Sequence, residues 1–144
     1  MLVEDASRTA PAVEQRGIRR VLVEFDGSTS AWTALRRAIA VATRENALLT
    51  IAGVAEDPPC WFAMTPAALP YTRESLRRDA EREVERQLAA ARDEVPATLS
   101  VTTQLLRGRP APALAALAEE GGYDLVLAGP RSAGRLKRLL NVVT

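Results

Sequence analysis

Histidine is absent from the 144 residues. That removes Ser-His-Asp and Cys-His nucleophile systems, together with the usual imidazole metal sites. Cysteine occurs once, at Cys60, so no internal disulfide can form and no cysteine cluster offers a zinc site. Cys60 lies in "EDPPCWF", with no helix start or cationic neighbour beside it, and reads as a packed or loop thiol. Aromatic residues make up only 4% of the chain, and no RNA-binding aromatic pattern is visible. Trp32 and Trp61 read as core or loop packing rather than as base-stacking platforms. No apolar run approaches the roughly 20 residues needed to cross a bilayer. The start, "MLVEDASRTAPAVEQRG", carries acids early and has no apolar signal core. Charge of one sign is also lacking: 19 Lys and Arg stand against 18 Asp and Glu, for a net charge of +1. The expectation is a cytoplasmic protein with neither nucleic acid nor membrane as partner.

What is present fits one globular domain. Apolar residues make up 47% and charged residues 26%, and the length allows a sizeable core. Residues 1–17 show no periodicity and are expected to form a flexible arm, followed by a domain over 18–144. "RRVLVEFD" carries the β-rich run Val21-Leu22-Val23 and ends at Asp26-Gly27, as a first strand would. Ser28, Thr29 and Ser30 are candidate N-caps for the helix that follows. Ala31, Leu35, Ala38 and Ala42 recur at helical spacing, and Asn46 can end that helix. "ALLTIAGVAED" is nearly continuously apolar, as in a strand covered on both faces. "DPPCWFAMTPAALPY" holds four prolines and cannot be regular structure.

A long charged helix is expected from about Thr72 to Asp93, with Leu76, Ala80, Val84 and Leu88 as its apolar stripe. "TLSVTTQLLRG" reads as a third strand. Pro110 suits the first turn of a further helix, which stops at Gly121-Gly122. "YDLVLAG" reads as a fourth strand. Such alternation predicts a parallel sheet with helices on both faces and right-handed crossovers. Ligands in such sheets bind beyond the carboxyl ends of the strands, at the switch point. The ends facing that crevice are Asp26-Gly27, Gly53-Val54 and Gly129.

With these elements in order, the chain resembles a universal stress protein domain. The residues that carry the likeness are "VLVEFDGSTSAWTALRRAIAVA", "ALLTIAGVAED" and "LLRGRPAPALAALAEEGGYDLVLAGPRSAGRLKRLL", together spanning roughly residues 18 to 140. The resemblance implies an α/β fold of the Rossmann-like or flavodoxin-like kind, akin to the adenine nucleotide alpha hydrolases, with strand order 3-2-1-4. It also implies a family in which some members bind ATP and many are dimeric.

In binding members, an aspartate ending the first strand and a residue ending the second contact the nucleoside; these map to Asp26 and Val54. The family holds phosphates and ribose with a glycine, two residues, a second glycine, nine residues, then Gly-Ser or Gly-Thr. Gly129 matches the first glycine, and Ser132 stands in place of the second. Val142 and Val143 fall where Gly-Ser belongs. The helix which that Gly-Ser opens, and the fifth strand after it, are expected to be missing before residue 144. Asp26, Val54, Gly129 and Ser132 are therefore candidate cofactor-binding residues of a degenerate nucleotide site. No catalytic or metal-binding residue is assigned.

Each of these residues also has a plainer reading. Asp26 can shape the turn and cap the first helix. Gly129 can simply end a strand, and Ser132 can be a loop serine on the surface. Arg131, Arg135, Lys137 and Arg138 read as a solvated basic face. The expected loop has no helix behind Gly129 to offer N–H groups to a phosphate.

The leading functional reading is a non-enzymatic stress-response module that acts through protein partners, as yet unknown, or through weak ligand binding. No cofactor is then expected, with ATP as the alternative. The second reading is an ATP-binding sensor of the same fold, and the third a hydrolase on an α/β scaffold. The fourth strand's open edge is expected to be covered by the "LLNVVT" tail or by a second chain in a homodimer, with the homodimer favoured.

Overall fold

Val21, Leu22 and Val23 alternate across a sheet and are fully buried, because helices cover both of its faces. They lie in a strand, Arg20–Glu24, at the centre of a five-stranded parallel sheet. The computed structural model describes residues 1–5, 17–57, 61, 64–66 and 72–140. In chain order the elements are β1 (Leu2–Asp5), β2 (Arg20–Glu24), α1 (Thr29–Glu45), β3 (Leu48–Ala55), α2 (Arg73–Asp93), β4 (Val101–Arg107), α3 (Pro110–Gly121), β5 (Leu125–Ala128) and α4 (Pro130–Leu139). The sheet runs β1-β5-β2-β3-β4.

Two apolar layers sandwich the sheet. On one face Val21, Val23, Leu49, Ile51, Leu125 and Leu127 pack under α1 and α2, against Leu35, Ala38, Val84 and Leu88. Phe25 closes that layer with an edge-on contact to Trp32, 4.8 Å between ring centres. On the other face Leu22, Ala52 and Val126 meet Leu114 and Ala118 of α3 and Ala133 and Leu136 of α4. Local signals start and stop the helices where the sequence places them. Ser28 caps α1 by accepting from the Ala31 N–H, and Asn46 ends it in the left-handed region. Thr72 and Ser75 form a reciprocal capping box at the start of α2. Pro110 opens α3, and Gly122, at φ 61°, closes it.

The four expected strands lie side by side in the expected order, here β4-β3-β2-β5, all parallel. Three expectations are corrected. First, residues 2–5 of the supposed arm form β1, which pairs in parallel with β5 in the register Leu2↔Leu125 to Asp5↔Ala128. Val3 is buried in the α3/α4 layer, and Glu4 reaches across to Arg37 of α1 at 2.8 Å. Four residues with only two apolar ones carry too little pattern to be read as a strand; the pairing is supplied by a partner distant in sequence.

Second, β1 takes the edge of β5 for which the "LLNVVT" tail or a second chain is expected, which removes the reason given for a homodimer there. Residues 141–144 of that tail lie outside the described residues, as do Val142, Val143, Cys60 and most of the proline-rich stretch. Third, a helix does stand behind Gly129: α4 follows β5 directly. Gly129 is its N-cap residue and Pro130 its first residue, a pairing that favours helix initiation. Its apolar stripe is short, Ala133 and Leu136, and is hidden in the sequence among basic residues.

At the amino ends of the strands, polar groups are tied together. The Asp124 carboxylate accepts from the N–H groups of Arg19 (2.8 Å) and Arg20 (3.1 Å). Tyr123 donates its hydroxyl to Thr50 at 2.7 Å, and Thr50 is within 3.0 Å of the Thr102 hydroxyl. Both Thr50 and Tyr123 are buried. Thr50→Val would strand the Tyr123 hydroxyl, and we expect a loss of about 1–3 kcal/mol in chemical denaturation. Adding Tyr123→Phe should recover most of it, because both polar partners are then gone. For β1, deletion of residues 1–5 should speed hydrogen exchange across Leu125–Ala128 and leave the amides of β4 unchanged.

Candidate functional site

The chain winds from β2 through β3 to β4 and then returns to place β5 on the other side of β2. That reversal opens a crevice at the carboxyl ends of β2, β3 and β5. It is a cavity of about 660 Å³, within the usual range for small-molecule sites. All four candidate residues, Asp26, Val54, Gly129 and Ser132, line it.

Their roles differ in detail. Asp26 is exposed, and its carboxylate accepts from the Ser28 N–H at 2.9 Å, so it shapes the turn while Ser28 caps the helix. Gly27 makes that turn with φ of 80°, a conformation suited to glycine. Val54 is half-buried in the wall. Gly129 has an ordinary φ of −66°, and a Cβ there would meet nothing within 4 Å. Its glycine is therefore not forced by the backbone and leaves the crevice open at that point. Ser132 is not a surface serine: it is 4% exposed in the first turn of α4 and donates to Glu24 Oε1 at 3.2 Å.

The sequence reading missed Glu24, Glu56 and the wall contributed by α2. Ala80, Glu83, Val84 and Gln87 of α2 line the crevice. They come this close because Gly53 lacks a side chain; a Cβ there would sit 2.5 Å from Val84 Cγ1. The signal that could have found Glu24 is an acid at the carboxyl end of an otherwise apolar strand.

The lining is acidic. Glu24, Asp26, Glu56 and Glu83 face one cation, Arg131. Glu83 is paired with Arg86 of its own helix. Among the described residues no ion pair engages the other three carboxylates. Burial pushes the Glu24 carboxyl above the usual carboxylate range. The charges of Asp26 and Glu56 push the same way, against hydrogen bonds from the Ser132 hydroxyl and the Gly129 backbone. The second oxygen, Oε2, is buried with no hydrogen-bond partner in the protein.

The universal stress protein family model matches residues 17–143. The chain belongs to the universal stress protein family. No curated protein matches it. Among solved structures it is similar to a universal stress protein family member from Burkholderia pseudomallei, at 26% identity and a TM-score of 0.69, over 84% of this chain and 89% of that one. It is also similar to the universal stress protein UspA from Lactobacillus plantarum, at 24% identity and a TM-score of 0.58, over 83% of each chain. A universal stress protein family member from Arabidopsis thaliana, solved with AMP bound, shares the fold at 14% identity and a TM-score of 0.53, over 84% of this chain and 82% of that one. The family membership confirms the resemblance read from the sequence. No described helix is long and apolar enough to cross a membrane.

The raised Glu24 carboxyl has a consequence for stability. The folded state holds this proton more tightly than the unfolded chain, so its contribution is fully present below the ordinary glutamate value. It is lost as pH rises through the higher folded value. Glu24→Gln removes that dependence. We expect the Tm of the variant to gain on that of the wild type as pH rises from acidic to neutral; thermal melts across that range provide the check.

Proposed function

We propose that this universal stress protein is a non-enzymatic, ligand-responsive domain of the cytoplasm. Its crevice takes a small neutral or cationic molecule of nucleoside size in preference to a nucleoside polyphosphate. The observation that carries this reading is the lining: Glu24, Asp26 and Glu56, without ion-pair partners among the described residues, against Arg131 alone. A polyphosphate brought among them meets like charge, which in a partly dry crevice costs more than in water. The AMP-bound relative from Arabidopsis thaliana supports the idea that this fold can accept an adenosine moiety. Asp26 and Val54 are the residues proposed to meet the nucleoside part, and Gly129 and Ser132 lie where a phosphate would approach.

The non-enzymatic part rests on the reactive groups. With no histidine in the chain, Ser132 is the hydroxyl hydrogen-bonded to a crevice carboxylate, and it is buried with its proton directed at Glu24. So held, it serves the crevice wall and the Glu24 carboxylate rather than acting as a nucleophile. We carry self-association into the same proposal as a homodimer formed along the outer edge of β1, the end strand of the sheet on the β5 side among the described residues.

Isothermal titration of the full chain with ATP at neutral pH should show no stoichiometric binding at submillimolar concentration, with no ATP hydrolysis in a phosphate-release assay. A one-to-one isotherm in the low micromolar range, abolished by Asp26→Ala, would falsify this reading of the crevice.

A further inference from the structure

The start of α4 is the place in the crevice best suited to an anion. Pro130 has no N–H and the Ser132 N–H pairs with the Gly129 carbonyl at 3.1 Å, so the pull on negative charge there comes from the helix dipole and the remaining N–H groups of the first turn. In this protein a carboxylate from the chain itself already stands there. Glu24 sits on the last residue of β2 with its side chain on the α3/α4 side of the sheet. Its Oε1 accepts the Ser132 hydroxyl at 3.2 Å, and the nearby Gly129 backbone favours the charged form of the same carboxyl. The Ser132 hydroxyl and the Gly129 backbone, in the first turn and at the N-cap of α4, border the part of the crevice that a phosphate entering past Gly129 would reach. Gly129 itself leaves open space, so no side chain obstructs the approach. What obstructs it is an internal anion.

We propose that Glu24 is the specificity-determining residue of the crevice: its carboxylate stands at the start of α4, holds the Ser132 hydroxyl, and so excludes phosphate-bearing ligands. The assignment rests on the reading of the crevice as a ligand site given above. It predicts that the crevice rejects phosphate even with a helix directly behind Gly129. The groups around the carboxyl reinforce the exclusion. Asp26 from the turn after β2, Glu56 beyond β3 and Glu83 from α2 add negative charge to the same cavity. Arg131 of α4 is the opposing cation. Because Glu24 holds a proton more readily than an ordinary glutamate, exclusion should relax at mildly acidic pH.

The test uses the full chain, with sulfate and AMP as anionic probes and adenosine as the uncharged one. Binding is followed by the NMR shifts of the Gly129, Arg131 and Ser132 amides. Sulfate keeps its charge from mildly acidic to neutral pH, so its titration reports on the protein. At neutral pH, Glu24→Gln and Glu24→Ala should each strengthen sulfate and AMP binding at these amides at least about tenfold, with adenosine affinity unchanged. Folded variants with unchanged sulfate affinity would overturn the assignment. Should both variants fail to fold, the wild type decides: its sulfate affinity must rise as pH falls, and a flat profile overturns the proposal. Running Glu24→Gln through the same pH series separates the effect of Glu24 from that of the other crevice carboxylates, which both proteins share. Failure of adenosine to bind any form would instead count against the crevice as a nucleoside site and leave the sulfate comparison to judge Glu24.

Discussion

Strand β2 has both of its edges taken, by β3 on one side and β5 on the other, because the chain turns back after β4. A strand enclosed in this way loses all contact with water except at its ends. Val21, Leu22 and Val23 accordingly have no exposure at all, and the polar residues that the strand carries are confined to its termini. At the amino end they meet Asp124, which receives the N–H groups of Arg19 and Arg20. At the carboxyl end Glu24, and Asp26 two residues beyond the strand, face the crevice. The position of the site thus follows from one topological fact.

The helices and strands with strong periodicity are legible in the sequence alone. Ala31, Leu35, Ala38 and Ala42 mark α1, and all four are buried against the sheet. Pro110 and Gly122 mark the limits of α3. Elements whose stability comes from distant contacts leave no such trace. β1 has too few residues to show a period and is held by Val3 in the α3/α4 layer and by the Glu4 pair with Arg37. α4 is mostly basic on its outer side and reads as a charged loop until Leu136 is seen to be fully buried. The four candidate site residues do meet in one cavity, because strand ends converge in any sheet of this winding. The chemistry of that cavity is less visible in the sequence, since the α2 residues reach it through packing at Gly53 and Glu56 joins it from beyond the end of β3.

Two features pull in opposite directions at Gly129. The family pattern and the helix behind it describe a place for a phosphate. The nearest carboxylate and its neighbours describe a place from which a phosphate is kept. A family can retain its scaffold while a single acidic residue at a strand end alters which ligands the scaffold admits, and this separation of fold from ligand chemistry is the general expectation for α/β proteins.

The parallel pairing of β1 with β5 also has a meaning for biogenesis. Leu2–Asp5 emerge from the ribosome before the rest of the domain, yet their partner strand begins at Leu125. Nothing can receive them until nearly the whole domain has been synthesised. The strand made first is therefore among the last to find its place, and its docking closes the edge of β5. During translation that edge, with its apolar Leu125 to Ala128, is uncovered for as long as Leu2–Asp5 remain unpaired, which is when a nascent chain is most exposed to wrong partners.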